Sequence, residues 1–286
     1  MNTLRRIIDS RGSWGSSILA AIAVLAVTSA PRAQGGMHEP YDKLLDTYVR
    51  DGFVYYRALK TERGAIDRYI ASLDVPKARV DGWSRADQQA FWVNAYNAFV
   101  LRTVIDAYPI NGRSTQYPAK SIRQIPGAFE TMKHRVAGQS MTLDDMEKNV
   151  IAAFGDARLL LALGRGALGS GRLRSEAYLG SALEAQLARV EQECAVKPRC
   201  SKLDRDAKVL EVTPIVSWRE PVFVSTFAGR GEAMWANRTP IERAAAAMIY
   251  PHLFSTEKEF LAANAFRMQY GTFDWRLNDL TGGVPE

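Results

Sequence analysis

Residues 85–108 read RADQQAFWVNAYNAFVLRTVIDAY, and this stretch decides the kind of fold the chain can build. Ser84 precedes it as a helix cap and Pro109 follows it as a stop. From Phe91 to Leu101 almost every position is apolar. A helix with no polar face must be buried on most sides, so other helices have to surround it. Asn94 and Asn97 interrupt the apolar run three residues apart, on neighbouring faces. A buried amide needs hydrogen-bond partners. Either the two asparagines tie the helix to adjoining backbone, or they line a pocket.

Upstream, YDKLLDTYVRDG places Tyr41, Leu44, Leu45 and Tyr48 at helical spacing, with Gly52 as the stop, and residues 31–39 read as a loose leader. FVYYRAL reads as a short strand or extended arm, and TERGAIDRYIASL returns to helix with Ile66, Ile70 and Leu73 on one face. Downstream, TMKHRVAGQSMTL predicts a hairpin turning at Gly138. TLDDMEKNVIAAF opens with Thr142 and Asp145 in capping-box positions and carries a stripe of Leu143, Met146, Val150 and Phe154. Glu147 falls on that stripe, where an acid requires a partner or a wet cleft; Lys148 points toward solvent. Helices interrupted by a few short strands predict a mostly helical α+β fold, a single domain over residues 39–286 with a small antiparallel sheet.

The stretch LLLALGRGALGSGRLRSEAY, Leu159 to Tyr178, contains G-x-G-x-x-G at Gly164, Gly166 and Gly169. A dinucleotide site needs a strand before the glycines and an acid ending a second strand about 20 residues on. ARLLLAL is compatible with the first strand, but SEAYLGSALEAQLARVEQE keeps helical spacing through Leu179, Leu183, Leu187 and Val190, so Glu191 ends no strand. The phosphate-loop pattern fails at Arg172 and Leu173. Ser170 sits between two glycines as a weak candidate nucleophile, yet Leu168 breaks the nucleophile-elbow pattern, and no motif brings His38, His134 or His252 to it. Lys148, as a solvent-facing amine, keeps its proton and makes a poor base. Arg158, Arg165, Arg172 and Arg174 surround the loop, so an anion-binding nest is a further reading, beside the plainer one of a solvated rim.

At the start of the chain, Arg5 and Arg6 precede ten apolar residues, Ile18 to Val27, and small residues ending at Ala30. A membrane-crossing helix needs about 20 residues. The pattern is that of a signal peptide over residues 1–33, cut near 30–33, which implies a periplasmic or extracellular protein with no stable membrane span afterwards. Loss of Arg5, Arg6, Arg11, Arg32 and Asp9 takes the formal charge from +6 to 6 − 4 + 1 = +3. That mild, unclustered charge argues against nucleic acid as partner. Cys194 and Cys200, in CAVKPRC, are the only cysteines; an oxidising space favours their pairing, and two cysteines without nearby histidines do not make a zinc site.

Taken together, AFWVNAYNAF, SIRQI, TLDDMEKNVI, DARLLLALGRGALGSGRLRSEAY and FDWRLND resemble the family called domain of unknown function 547, from about Tyr41 to Asn278. The resemblance implies a Glu-His pair in the capped helix, a second histidine and two loop cysteines, a set that by analogy suggests thiol chemistry. This sequence keeps Glu147 but has Lys148 and Leu160 at the histidine positions, and Arg165 and Ser170 at the cysteine positions, with Gly171 and Arg172 replacing prolines. The expectation is therefore an exported, non-catalytic binding or scaffold protein without a cofactor or metal. Its expected pocket comprises Asn94, Asn97, Glu147, Arg165 and Ser170, with Arg165 as the partner of Glu147; its partner is a protein or a small molecule. The alternatives are a hydrolase or acyl transferase using Ser170, and an anion-binding module at the Gly/Arg-rich loop.

Overall fold

The computed structural model describes residues 33–281, so the signal peptide read over residues 1–33 lies almost wholly outside the described residues. Helix α1 (Ala33–Tyr48) leads into a hairpin of β1 (Val49–Arg50) and β2 (Phe53–Val54), and three short helices follow: α2 (Tyr56–Thr61), α3 (Gly64–Ser72) and α4 (Lys77–Asp81). The long α5 (Arg85–Ala107) comes next, with every residue from Gln89 to Leu101 buried. The Ser84 side chain accepts a hydrogen bond from the Asp87 N–H at 3.2 Å, which satisfies an orphan donor of the first turn. α2 and α3 pack against α5 on the N-terminal side of the chain.

Strands β3 (His134–Val136) and β4 (Gln139–Met141) form the hairpin at Gly138, with Ala137 and Gly138 both at positive φ. Then α6 (Leu143–Asp145) opens the capped helix, and the Thr142–Asp145 capping box is complete. Met146–Ile151 widens into a π-helical turn, and Ala152–Phe154 closes as a 3₁₀ turn. The wide turn changes which residues face inward. Met146, Glu147 and Ile151 are buried, whereas Val150 and Phe154 of the expected stripe are only half-buried. Helices α7 (Ala157–Leu161) and α8 (Leu183–Val196) flank the glycine-rich loop.

The C-terminal part carries β5 (Ser201–Asp204), β6 (Val209–Val212), α9 (Ile215–Trp218), α10 (Glu220–Phe227), α11 (Pro240–Ile249), α12 (Ser255–Ala262) and β7 (Arg267–Tyr270). The fold is thus mostly helical α+β, and one hydrophobic core runs from Tyr41 to Leu277. Among the described residues no helix is long and apolar enough to cross a membrane.

Four local expectations need correction. The sheet of order β5-β6-β7 is mixed rather than antiparallel, because β7 pairs parallel to β6. A parallel pair needs a long crossover, and the helices α9 to α12 supply it. ARLLLAL is helix, not strand: the Asp156 side chain caps α7 by accepting from the Arg158 N–H at 3.0 Å, and burial on all sides erases any alternation. FVYYRAL is strand only over Phe53–Val54, since Asp51 and Gly52, both at positive φ, turn a two-residue hairpin and Tyr56 starts a helix. The supposed loose leader is the first turns of α1, where His38 is wholly buried. Its Nδ1 lies 2.8 Å from the Tyr69 hydroxyl, and its ring meets Phe91 of α5 at 6.3 Å. The socket is built by side chains far along the chain, so local polarity does not reveal it.

Burial lowers the His38 imidazole to about 4, against the opposing pull of Asp87. The unfolded chain therefore takes up this proton at higher pH than the folded one. Stability from His38 is complete above about pH 6.5 and is lost as pH falls toward 4, by on the order of 2–3 kcal/mol. Chemical denaturation from pH 7 to pH 4.5 should show that decline, and His38→Gln should flatten it.

Candidate functional site

Asn94 and Asn97 are clamps. The Asn94 amide donates to the Tyr178 carbonyl at 2.8 Å and accepts from the Tyr178 N–H at 2.9 Å. The Asn97 amide donates to the Ala162 carbonyl at 3.2 Å and accepts from the Gly164 N–H at 2.8 Å. Each side chain thus mimics one rung of a β-ladder and fastens one end of the glycine-rich loop to α5. Both buried amides are thus tied to adjoining backbone, and neither is among the residues that line the cavity beside Ser170.

Glu147 is 5% exposed, and two guanidinium groups share its carboxylate. Arg165 Nε donates to Oε2 at 3.1 Å, with Arg165 Nη2 3.0 Å from the same oxygen but off the hydrogen-bond line. Arg219 Nη2 lies 3.1 Å from Oε1. The Tyr96 hydroxyl donates to Oε2 at 3.4 Å, and burial followed by the Glu147 charge pushes its phenol far above the ordinary value. Arg165 Nη1 also donates to the Leu160 and Leu163 carbonyls, both at 3.3 Å, and the guanidinium stands 5.7 Å from the Trp218 ring centroid. These contacts occupy both oxygens of the carboxylate. Arg219 carries no sequence signal for this role, because it sits between two short helices far along the chain. Lys148 is exposed and paired with Asp144.

The loop between the clamps is shaped by close packing. Gly166 takes φ +65°, and a Cβ there would touch Val100 and Val104 of α5. A Cβ on Gly171 would lie 1.6 Å from the Leu161 carbonyl oxygen, so any side chain there forces the backbone to shift. So these glycines seat the loop on the core. Ser170 Oγ accepts a hydrogen bond from the Arg165 N–H at 2.9 Å. The side chain borders a cavity of about 310 Å³ walled by Phe53, Leu161, Leu168, Val190 and the Cys194–Cys200 disulfide. Of the five residues expected to form a pocket, Ser170 alone lines this one; Asn94, Asn97, Glu147 and Arg165 lie behind it in the core.

Among the described residues no histidine or carboxylate is hydrogen-bonded to Ser170. His38 contacts Tyr69, His134 stacks on Phe99 at 4.5 Å, and His252 lies 3.4 Å from Glu191. The arginines around the loop are also committed. Arg158 pairs with Asp156 and Glu184, Arg174 with Glu176 and Glu193, and Arg172 with Asp51 and Glu193. Among the described residues no group of three or more His, Cys, Asp or Glu side chains is placed to hold a metal.

Residues 80–193 match the family described as protein of unknown function, DUF547. Over this segment the chain is similar to that family. No curated protein and no solved structure matches it. The DUF547 segment holds α5, the capped helix and the glycine-rich loop, hence both asparagine clamps, Glu147 and Arg165. It stops at Glu193, one residue short of the disulfide, and leaves out Arg219 and the rest of the C-terminal part.

Removing the acid from a buried pair strands its partners and costs about 3–5 kcal/mol. Glu147→Ala should therefore lower the melting temperature by on the order of 10 °C in a calorimetric scan, given the size of the chain. Ser170→Ala, at a half-buried cavity wall, should shift it by no more than a degree or two.

Gly171→Ala should cost about 3 kcal/mol or more, because backbone rather than a flexible side chain must give way. Gly229→Ala is the control: a Cβ there meets nothing within 4 Å, and urea midpoints should differ between the two variants accordingly.

Proposed function

We propose that the protein is exported and acts by binding a small ligand in the cavity beside Ser170, without catalysis. The observation that supports this reading is the surroundings of Ser170. Its hydroxyl borders an apolar cavity, yet it is hydrogen-bonded to a backbone N–H and, among the described residues, to no histidine or carboxylate, and the one carboxylate retained at the family position is held between Arg165 and Arg219. A serine nucleophile without a base beside it is weak. The paired arginines also leave the anion-nest reading without free charge. The N-terminal pattern and the Cys194–Cys200 disulfide support export. On this reading residues 1–33 are removed, and the mature domain starts near Ala33, upstream of the buried His38.

A serine-directed acylating probe applied to wild type and to Ser170→Ala tests the non-catalytic part. The expected outcome is no stoichiometric labelling of either protein. Labelling that vanishes in the variant would overturn it and establish a serine hydrolase or acyl transferase instead. Mass spectrometry of protein from the native host should find an N-terminus between Pro31 and Met37, with no free thiols before reduction.

A further inference from the structure

We infer that the cavity beside Ser170 takes small amphipathic anions, an apolar body carrying a single carboxylate or similar group. This rests on the cavity being a binding site, and the physical grounds are its walls and its rim. Phe53, Leu161, Leu168 and Val190 offer an apolar interior of about 310 Å³, at the small end of the roughly 300–1,000 Å³ usual for small-molecule sites. Five charged residues border it. Arg172, Lys197 and Arg199 are cations and Asp51 and Glu193 acids, so the sum is 3 − 2 = +1.

Pairing makes the imbalance larger than that sum. Asp51 and Glu193 lie 3.4 and 3.5 Å from Arg172, and Glu193 is held again by Arg174 at 3.2 Å. Lys197 and Arg199 are exposed, and neither has an acidic group within ion-pair distance among the described residues. Asp274, which lies with Arg199 on the neighbouring cavity of about 220 Å³, is already gripped by Arg276 at 2.6 Å. Lys197 thus stands unpaired at the rim of an apolar hollow, and beside it Arg199, outside ion-pair distance of any acid among the described residues though its charge reaches Asp274. Both belong to the turn that the Cys194–Cys200 disulfide closes, which fixes the base from which their side chains project. An anionic head at this rim keeps its water on one side while its apolar body leaves water entirely. A cationic head would meet Lys197 and Arg199 instead.

The test measures binding of octanoate, 1-octanol and octylamine to the mature protein by calorimetry or ligand-observed NMR. Octanoate should bind tightest and 1-octanol about tenfold more weakly, as expected for two partly solvated charge contacts, with octylamine weaker still. Salt at 0.5 M should narrow the gap. The double variant Lys197→Glu/Arg199→Glu, at exposed positions, should invert the order of octanoate and octylamine and leave 1-octanol unchanged. Leu168→Trp, which fills the hollow, should abolish all three. Equal affinity for the three probes, or an order the double variant leaves intact, overturns the anionic class while the binding cavity stands. No binding of any probe, or 1-octanol binding that survives in folded Leu168→Trp, overturns the cavity reading as well. Should Leu168→Trp fail to fold, the charge-reversal pair still decides the class.

Discussion

A carboxylate held between two guanidinium groups joins three otherwise separate parts of this protein. Glu147 comes from the π-helical turn, Arg165 from the glycine-rich loop and Arg219 from the junction of α9 and α10. Charges this deeply buried persist only when each is paired and further hydrogen-bonded, and Tyr96, Leu160 and Leu163 supply those bonds. The pair therefore specifies where the loop lies relative to α5. The wide turn matters here too, since an α-helical turn would set a different set of side chains inward. π-turns are rare and recur at positions where one side chain must be re-aimed.

The two asparagines complete the same design. An apolar helix on its own slides and rotates against apolar neighbours at little cost, whereas Asn94 and Asn97 fix register by meeting one backbone donor and one acceptor each. Between them, the glycines let the loop lie flat on α5 and α7, with Gly171 almost in contact with the Leu161 carbonyl. The result is a loop fastened at both ends to α5, with Ser170 bordering a cavity that the disulfide also lines. Positions that in the DUF547 resemblance suggest thiol chemistry are here given over to structure: Arg165 to the ion pair, and Leu160 to packing.

The proposed binding site is therefore the cavity that Ser170 borders, not the buried ion pair. The residues that give the cavity its character come from segments far apart in sequence: Phe53 from the first hairpin, Ser170 from the loop, and Lys197 and Arg199 from the disulfide turn. On the proposed reading, binding in this cavity rests on its apolar volume and on the charges at its rim.

Several features follow from local sequence alone. α5 is legible because its cap, its unbroken apolar run and the following proline are all contiguous. The Thr142–Asp145 capping box, the Gly138 hairpin and the Cys194–Cys200 pairing are likewise decided within a few residues, where spacing and geometry are nearly the same thing. Glu147 could be recognised as needing a partner, since an acid on an apolar stripe has few alternatives. What tertiary structure alone decided is the outcome of long-range contacts. His38 enters the core because Tyr69 and Phe91 form its socket, β7 pairs parallel because four helices carry the chain back to β6, and Arg219 arrives from 72 positions beyond Glu147. Periodicity reports which face of an element is buried, but not which distant group will meet it there, and the cavity exists only where such meetings leave a gap.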